Sequence, residues 1–277
     1  MLIDSHCHLS HMPKVAGGVA AICEQAASAN VHGMLNVATT PDALAAMQAD
    51  CAEQPYVWCA AGLHPEAVNA QNSLDLQALE HALIHVAGSA VVALGETGLD
   101  YSPAASPGLF AAQRDAFALH LELARRFDLP VIVHTRNAVA DTLDLIRAYP
   151  GCRGVIHCFT EDQRAAEAFI ALDFLLSFSG ILTFRNAEAL RRVAADIDAQ
   201  MMLVETDSPY LAPVPMRGKS NQPAWVAHTA ACMADVRGTS REQIAHTTTA
   251  NFARLFQVDV AHIQQTRSSA QAVVSRR

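Results

Sequence analysis

The sequence lacks the marks of several common classes of protein. Its seven cysteines include no C-x-x-C pair, which disfavours zinc-finger and disulfide roles and favours reduced thiols. No apolar run approaches the roughly 18–20 residues that cross a bilayer. The N-terminus has no leader-like stretch, because Asp4, His6 and His8 interrupt its apolar run. We therefore expect a cytoplasmic protein with no membrane partner.

Positive charge is also scarce. The chain has 19 Lys and Arg residues against 27 Asp and Glu residues, a net charge of −8, and a pI near 5.9. Such a protein has no bulk attraction for duplex nucleic acid, because that binding depends on neutralising phosphates with Lys and Arg. An anionic substrate would have to be held locally, by metal ions or by a small cationic patch.

Apolar residues, in contrast, are plentiful. Of the 277 residues 51% are hydrophobic and only 17% are charged, a composition typical of a globular protein and not of a disordered one. The length fits one large domain or two ordinary ones.

Eight short apolar runs are predicted to be buried strands, separated by segments with helical periodicity. The runs are residues 2–5, 33–38, 57–62, 91–95, 130–133, 154–156, 174–179 and 201–205. Strand and helix alternating eight times over about 250 residues indicate an α/β fold, a closed (β/α)8 barrel of the TIM type. The alternative is an open doubly wound sheet, but neither G-x-G-x-x-G nor a Walker sequence follows an early strand. We predict one barrel domain over residues 1–258 and a frayed polar tail over 259–277.

Three helix starts are suggested by local sequence. Ser106-Pro107 has the form of a cap followed by a first-turn proline. Asn186 can cap the helix that contains Leu190. Thr239-x-x-Glu242 is a possible capping box for the last helix.

Four histidines and two carboxylates lie at the downstream ends of predicted strands. They are His6, His8, Glu96, His134, His157 and Asp207. His6 and His8 share one face of their strand because side chains alternate, while Cys7 packs on the other face. In a barrel these strand ends converge on one mouth. Glu96 has two oxygens and could bridge two ions, one held by His6 and His8, the other by His134 and His157. Mixed nitrogen and oxygen ligands favour zinc, manganese or iron over magnesium.

The same residues stand in longer motifs. These motifs are IDSHCH at 3–8, GLHP at 62–65, GETGLDY at 95–101, PVIVHTR at 130–136, IHCF at 156–159, ETDSPY at 205–210 and NFARLF at 251–256. In this order, over about residues 1–257, they resemble the TatD family of metal-dependent deoxyribonucleases within the amidohydrolase-like barrel superfamily.

The resemblance implies a barrel with two divalent ions (zinc, magnesium or manganese) that hydrolyses phosphodiester bonds in DNA. It carries metal-ligand roles onto His6, His8, Glu96, His134, His157 and Asp207, and a substrate-site role onto His64. Two positions depart from the family pattern. Glu161 stands where glycine is usual and would repel a phosphate backbone, and Asn137 stands where an acidic residue is common.

Other candidates have a structural alternative beside the functional one. His64 could bind phosphate or transfer a proton, or could simply bond a loop carbonyl. Arg217 and Lys219, on a loop without acidic residues, could grip a phosphate or be solvated. Glu205 could belong to the site or to a structural ion pair. Asp4 could orient a ligand histidine or be buried with a structural partner.

These features together predict a two-metal phosphodiesterase. A hydroxide bridging the two ions attacks phosphorus, Asp207 takes or relays its proton, and the ions with Arg217 or Lys219 stabilise the phosphoryl charge. Single-stranded DNA ends are the expected substrate, because an acidic barrel with a deep mouth cannot easily engulf a duplex, and we expect a monomer. Two alternatives stay open: an amidohydrolase-type enzyme acting on a small-molecule ester, lactone or amide, and a non-catalytic scaffold with a vestigial site.

Overall fold

Eight parallel strands, each hydrogen-bonded to the next in chain order, form the centre of the structure. The computed structural model describes residues 1–13, 16–69, 77, 79–81 and 91–261. The strands are β1 (Leu2–Cys7), β2 (Val31–Val37), β3 (Val57–Ala61), β4 (Val91–Asp100), β5 (Val131–Arg136), β6 (Gly154–Ile156), β7 (Phe174–Phe178) and β8 (Met202–Val204). None of the described helices combines the length and the apolar character that a membrane crossing needs.

The ring of strands closes between β1 and the segment that follows β8. The backbone N–H of Asp207 donates to the carbonyl of His6 at 2.9 Å, and that of His8 donates to the carbonyl of Ser208 at 2.8 Å. An open sheet would leave its two edge strands apart, so this contact excludes the doubly wound alternative. The predicted (β/α)8 barrel is confirmed.

Helices alternate with the strands. In the described part of the chain they are α1 (Gly18–Ser28), α2 (Leu44–Cys51), α3 (Phe110–Phe127), α4 (Val139–Ala148), α5 (Gln163–Ile170), α6 (Glu188–Asp196), α7 (Val226–Arg237) and α8 (Arg241–Phe256). In α3 the residues Phe117, Leu121 and Ala124 recur at helical spacing and are buried. This helix therefore turns one apolar face towards the core.

The suggested helix caps differ from those observed. Ser106 precedes a 3₁₀ turn, and its side chain makes no capping bond. α6 begins after Ala187 and not after Asn186. The hydroxyl of Ser240, not of Thr239, accepts the N–H of Gln243 at 3.1 Å and caps α8. The sequence predicted these helices, but of the three only α8 has a side-chain cap, and it lies one residue beyond the predicted one.

Some strand boundaries differ from the prediction, and the end of β4 bears on the site. β2 begins two residues earlier than predicted, and β4 continues to Asp100, five residues beyond its predicted end. The pairing of β4 with β5 shifts register between Leu94 and Thr97. This irregularity lies at the position of Glu96.

An apolar cluster fills the N-terminal part of the barrel interior. Inward-facing residues from all eight strands contribute to it, among them Ile3, Leu35, Trp58 and Ile132. Helix α8 closes this end, with the Phe252 ring centroid 5.2 Å from that of Trp58. The predicted boundary at residue 258 and the predicted tail concern residues that lie mostly outside the described part of the chain, and both stay predictions.

Candidate metal centre

Glu96 lies at the middle of the strand ends, buried to 2% exposure, with its two carboxyl oxygens facing different pairs of histidines. Oε2 is 3.4 Å from Nε2 of His6 and 3.6 Å from Nε2 of His8. Oε1 is 3.0 Å from Nδ1 of His134 and 3.1 Å from Nε2 of His157. One carboxylate therefore connects two pairs of ring nitrogens, as a bridging ligand would.

Asp207 approaches the first of these pairs. Its Oδ1 is 3.4 Å from Nε2 of His8 and 3.9 Å from Nε2 of His6, and those two nitrogens are themselves 3.2 Å apart. The backbone of Asp207 is left-handed, with φ of 57°, a conformation that Asp adopts more readily than most residues. The three side chains converge on one point in the way that ligands of a single cation do.

In three of the histidines, the ring nitrogen on the side away from Glu96, here called the outward nitrogen, bonds to an oxygen acceptor. Nδ1 of His8 donates to the carbonyl of Val37 at 2.9 Å. Nδ1 of His157 contacts Oε1 of Glu205 at 3.1 Å, and Nε2 of His134 contacts Oδ2 of Asp100 at 3.1 Å. When the ring N–H on this side donates to the acceptor, the opposite nitrogen can present its lone pair to a metal ion beside Glu96. This is the arrangement in which histidine binds a metal.

His64 has the opposite polarity. Its Nδ1 accepts the backbone N–H of Glu66 at 3.1 Å, while its Nε2 is 3.3 Å from Oε1 of Glu96. With Nδ1 used as an acceptor, the ring proton belongs on Nε2. His64 therefore presents a hydrogen-bond donor to the centre, unlike His8, His134 and His157.

The two central carboxyl groups favour the ionised form. Burial is the largest influence on Glu96 and raises its pKa, but the charge of His157 and hydrogen bonds from His134 and His157 outweigh it. The pKa therefore lies well below the ordinary value. Burial likewise opposes ionisation of Asp207, but the hydrogen bond from His8 and the charge of His157 lower its pKa overall. Both groups are thus suited to bind cations.

The neighbouring histidines shift in the opposite direction. Burial lowers the pKa of His134, yet the hydrogen bonds to Asp100 and Glu96 raise it to about 9. Burial also opposes protonation of His157, but the charges of Glu96 and Glu205 raise its pKa well above the ordinary value. Protons on these rings balance the buried carboxylates, and binding of divalent ions would displace them.

A cavity of about 530 Å³ opens above the centre. Beyond the candidate ligands and Asp100 it is lined by His11, Thr39, His64, Glu66, Ala67, Arg136 and Tyr210. Among the described residues that line it, Arg136 is the only Lys or Arg. The phenol of Tyr210 is 51% exposed and packs edge-on to His8 and His11.

The two cations of the loop after β8 do not lie at this cavity. Neither Arg217 nor Lys219 is among the described residues that line the cavity. Arg217 instead donates to the carbonyl of Ala212 at 2.9 Å, and its guanidinium lies 4.0 Å from the Phe184 ring centroid. The sequence showed that this loop is basic, but not which groups its side chains contact.

Four other residues considered from the sequence now have a place. Asp4 is a structural residue: its carboxyl accepts the backbone N–H and hydroxyl of Thr206, and burial raises its pKa to about 8. Glu205 bonds His157, one of the candidate ligands. Asn137 is left-handed, with φ of 54°, which explains an Asn there. Glu161 is not among the residues that line the cavity.

Two residues of the site were missed from the sequence. Asp100 is buried, bonds His134, and also accepts the backbone N–H of Ser102 at 2.8 Å. Arg136 lines the cavity from the last position of β5. Both have a signal in retrospect, because Asp100 is four residues after Glu96 and Arg136 two after His134, spacings that share one face of a strand.

Parallel barrel strands that end in histidines and carboxylates around a central glutamate define a class, the metal-dependent hydrolases built on a TIM barrel. The sequence places the protein within that class. Residues 3–257 match the model of the family described as TatD related DNase. The chain belongs to the TatD family.

Relatives agree with this assignment. The uncharacterized metal-dependent hydrolase YcfH of Escherichia coli K12 is 44% identical over 270 residues, 96% of this chain and 99% of that protein. The uncharacterized hydrolase TatD of Mycobacterium tuberculosis is 35% identical over 92% of this chain and 97% of its own length. The crystal structure of YjjV, a TatD homologue of E. coli K12, aligns with a TM-score of 0.86 at 30% identity, covering 93% of this chain and 98% of that one. The protein is a metal-dependent hydrolase.

Proposed function

We propose that this hydrolase cleaves phosphodiester bonds of DNA, as an exonuclease on single-stranded ends, with two divalent ions bound at the barrel mouth. The observation that carries the proposal is the bridging position of Glu96, whose oxygens lie within 3.6 Å of nitrogens from two separate histidine pairs. The description of the family as TatD related DNase supports the choice of substrate.

The donor set fits two ions. The first ion would be held by His6, His8, Asp207 and Oε2 of Glu96. We call this group of ligands the aspartate half. The second ion would be held by His134, His157 and Oε1 of Glu96. We call this group of ligands the His134 half. Zinc or manganese suits this mixture of nitrogen and oxygen better than magnesium. Two such ions lower the pKa of bound water and offset the charge of a phosphoryl group.

The surrounding side chains have separate tasks in this proposal. Asp207, 14% exposed at the edge of the cavity, accepts the proton of the attacking water. His64 cannot accept a proton on Nδ1 while Glu66 donates to it, so His64 serves as a donor to a phosphoryl oxygen through Nε2. Arg136, at the rim, pairs with a neighbouring phosphate.

The rim fits a flexible strand better than a duplex. Tyr210 exposes a ring at the cavity edge, where a base can stack on it. Arg217 and Lys219 are not among the residues that line the cavity, and in this proposal they contact phosphates of a strand that continues beyond it. A substrate held mainly by the metal centre is consistent with the net charge of −8.

One observation favours a second candidate, hydrolysis of a small-molecule ester, lactone or amide. The cavity of about 530 Å³ has the size of a small-molecule site, and Arg136 is the single Lys or Arg among its described lining residues. The same centre serves both chemistries. A panel of oligonucleotides beside lactones and esters separates them, because only a phosphodiesterase degrades the oligonucleotides stepwise from an end.

Replacing Asp207 with Asn tests the proposed chemistry. The amide keeps an oxygen for the ion but removes the proton acceptor, so kcat for an oligonucleotide should fall by about 10²–10⁴, with KM nearly unchanged. Metal content, measured by elemental analysis on the same preparation, should remain close to that of the wild type at saturating metal. Near-wild-type kcat with both ions bound would show that Asp207 is a ligand only.

A further inference from the structure

Glu205 immediately follows β8 and is fully buried beside His157, one of the candidate ligands. Its Oε1 accepts two hydrogen bonds, from Nδ1 of His157 at 3.1 Å and from the backbone N–H of Cys158 at 2.8 Å. Its Oε2 is also buried but has no hydrogen-bond partner among the described residues. A buried carboxyl oxygen without a partner is costly, so this atom calls for an explanation.

His6 has a matching unpaired atom. Nε2 of His6 faces Oε2 of Glu96 at 3.4 Å, whereas its Nδ1 is buried with no partner in the described part of the chain. The His6 ring stacks on the His157 ring with centroids 3.9 Å apart. One ring nitrogen of each histidine and one carboxyl oxygen of Glu205 lie within 4.8 Å of one another. Glu205 and His6 are therefore close to each other, and each has one buried polar atom without a partner in the described part of the chain.

We propose that Glu205 is a positioning residue for both halves of the metal centre, fixing His157 through Oε1 and His6 through Oε2. An acceptor at Nδ1 of each ring keeps the proton there and turns the Nε2 lone pair towards Glu96. The proposal rests on the proposed two-ion centre. The proposal gives His6 an acceptor for its outward nitrogen, as His8, His134 and His157 already have.

Glu205 is not itself a ligand in this proposal. Its Oε1 is occupied by His157 and by the N–H of Cys158. An ion bound between Glu205, His6 and His157 would instead need lone pairs on the outward nitrogens, and those rings could then no longer serve Glu96. The two arrangements make opposite predictions for the ring protons, which spectroscopy can read.

Substituting Glu205 with Gln separates its two oxygens. The N–H of Cys158 requires an acceptor, so the amide oxygen takes the place of Oε1 and His157 keeps its partner. The amide NH₂ then points towards His6 and demands an acceptor there. The His6 ring proton must move to Nε2, and the lone pair is lost to the aspartate half. Affinity for one ion should fall by about 10–100-fold, while the His134 half keeps its ion.

Asp100 provides the matched control. Its Oδ1 accepts the N–H of Ser102 at 2.8 Å and its Oδ2 contacts His134 at 3.1 Å. In Asp100→Asn the amide oxygen must therefore stay at Ser102, and the NH₂ faces His134. This variant should weaken the ion of the His134 half by a similar factor and leave the aspartate half intact. Both substitutions replace a carboxylate with an amide, but Glu205→Gln should weaken the aspartate half and Asp100→Asn the His134 half.

The test uses zinc and the full chain labelled with ¹⁵N-histidine. In the metal-free wild type the His6 ring should carry its proton on Nδ1, and in Glu205→Gln on Nε2. One equivalent of zinc should then shift His134 and His157 in Glu205→Gln, but His6 and His8 in Asp100→Asn. Competition with a chelator gives both affinities, and circular dichroism of the metal-free variants confirms the fold.

Each outcome is decisive. An Nε2 proton on His6 of the wild type overturns the proposal without any variant, and so does unchanged affinity for both ions in a folded Glu205→Gln. Simultaneous loss of both ions in that variant would make Glu205 a ligand. Wild-type protein that binds fewer than two ions would instead overturn the proposed two-ion centre, a failure that chelator competition distinguishes from the other results.

Discussion

The two ends of the barrel are built from the same eight strands but filled in opposite ways. The N-terminal part of the interior is apolar, and α8 closes it with Phe252 and Phe256. The C-terminal end contains buried carboxyls and histidines that bond to one another. The apolar end gains stability from burial, whereas the polar end offsets the cost of burying charge only through mutual contacts. The difference teaches that stability and chemistry occupy separate layers.

The largest effect should come from the polar end, by replacing Glu96 with Ala. Both halves of the proposed centre lose their shared oxygen, so we expect activity on an oligonucleotide to fall to background and bound metal to drop in elemental analysis. The metal-free variant should remain folded. Glu66→Ala is the matched control, because it removes a carboxyl from the same cavity and should keep both ions. Retention of two ions by Glu96→Ala would contradict the bridging role.

The reciprocal change is Phe252→Ala at the apolar end. Removing a fully buried ring next to Trp58 should lower the free energy of unfolding by about 3–5 kcal/mol, measured by urea titration. Metal stoichiometry and kcat should stay at wild-type values under conditions where the variant is folded. Val214→Ala, at an exposed position, should change stability by less than about 0.5 kcal/mol. Lost metal binding in folded Phe252→Ala would mean that the two layers are coupled.

His120 tests a polar group that lies outside both layers. Its Nε2 accepts the N–H of Leu63 and its Nδ1 donates to the carbonyl of Ala116. Burial, the largest cause, lowers its pKa to about 4. Below the unfolded pKa of about 6.5 the unfolded chain binds a proton that the folded chain does not, so stability falls as the pH drops.

The expected size of this effect is about 2 kcal/mol between pH 7 and pH 5. His120→Gln retains a donor and an acceptor but has no titrating proton, so its loss of stability over the same range should be smaller by that amount. Urea titrations of both metal-free proteins at each pH supply the comparison. Equal losses would mean that the folded protein protonates His120.

The smallest effect concerns the helix that closes the apolar end. Ser240→Ala removes the cap of α8 and should cost about 1 kcal/mol in free energy of unfolding. Ser240→Asp should restore the cap. Thr239→Ala should be nearly neutral, because the structure gives the capping role to Ser240. The metal centre should be unaffected in all three variants.

The barrel and the principal site positions were predictable because both follow from strand periodicity. Apolar runs that end in His6, His8, His134 or Asp207 indicate which end of the parallel sheet contains the candidate ligands. Glu96 was predicted at a strand end, and it lies inside a longer strand. That extension hid Asp100, which falls beyond the apolar run that marks the strand.

Other features depend on contacts that spacing does not encode. The bonds of Glu205 to His157 and of Asp100 to His134 join residues from different strands, and only the pairing of the strands in the folded sheet brings them together. Composition showed that the loop with Arg217 and Lys219 is basic, but the path of a loop depends on what its side chains contact. Here Arg217 packs over the Phe184 ring and is not among the residues that line the cavity.

The closure of the ring between β1 and the segment after β8 has a consequence for synthesis of the chain. His6 emerges from the ribosome almost first, and Asp207, which completes its hydrogen bond and its candidate ligand set, follows about two hundred residues later. At about 5–20 residues per second this delay lasts about 10–40 s. The proposed aspartate half can therefore bind its ion with all its ligands only after the ribosome has translated the last strand of the barrel.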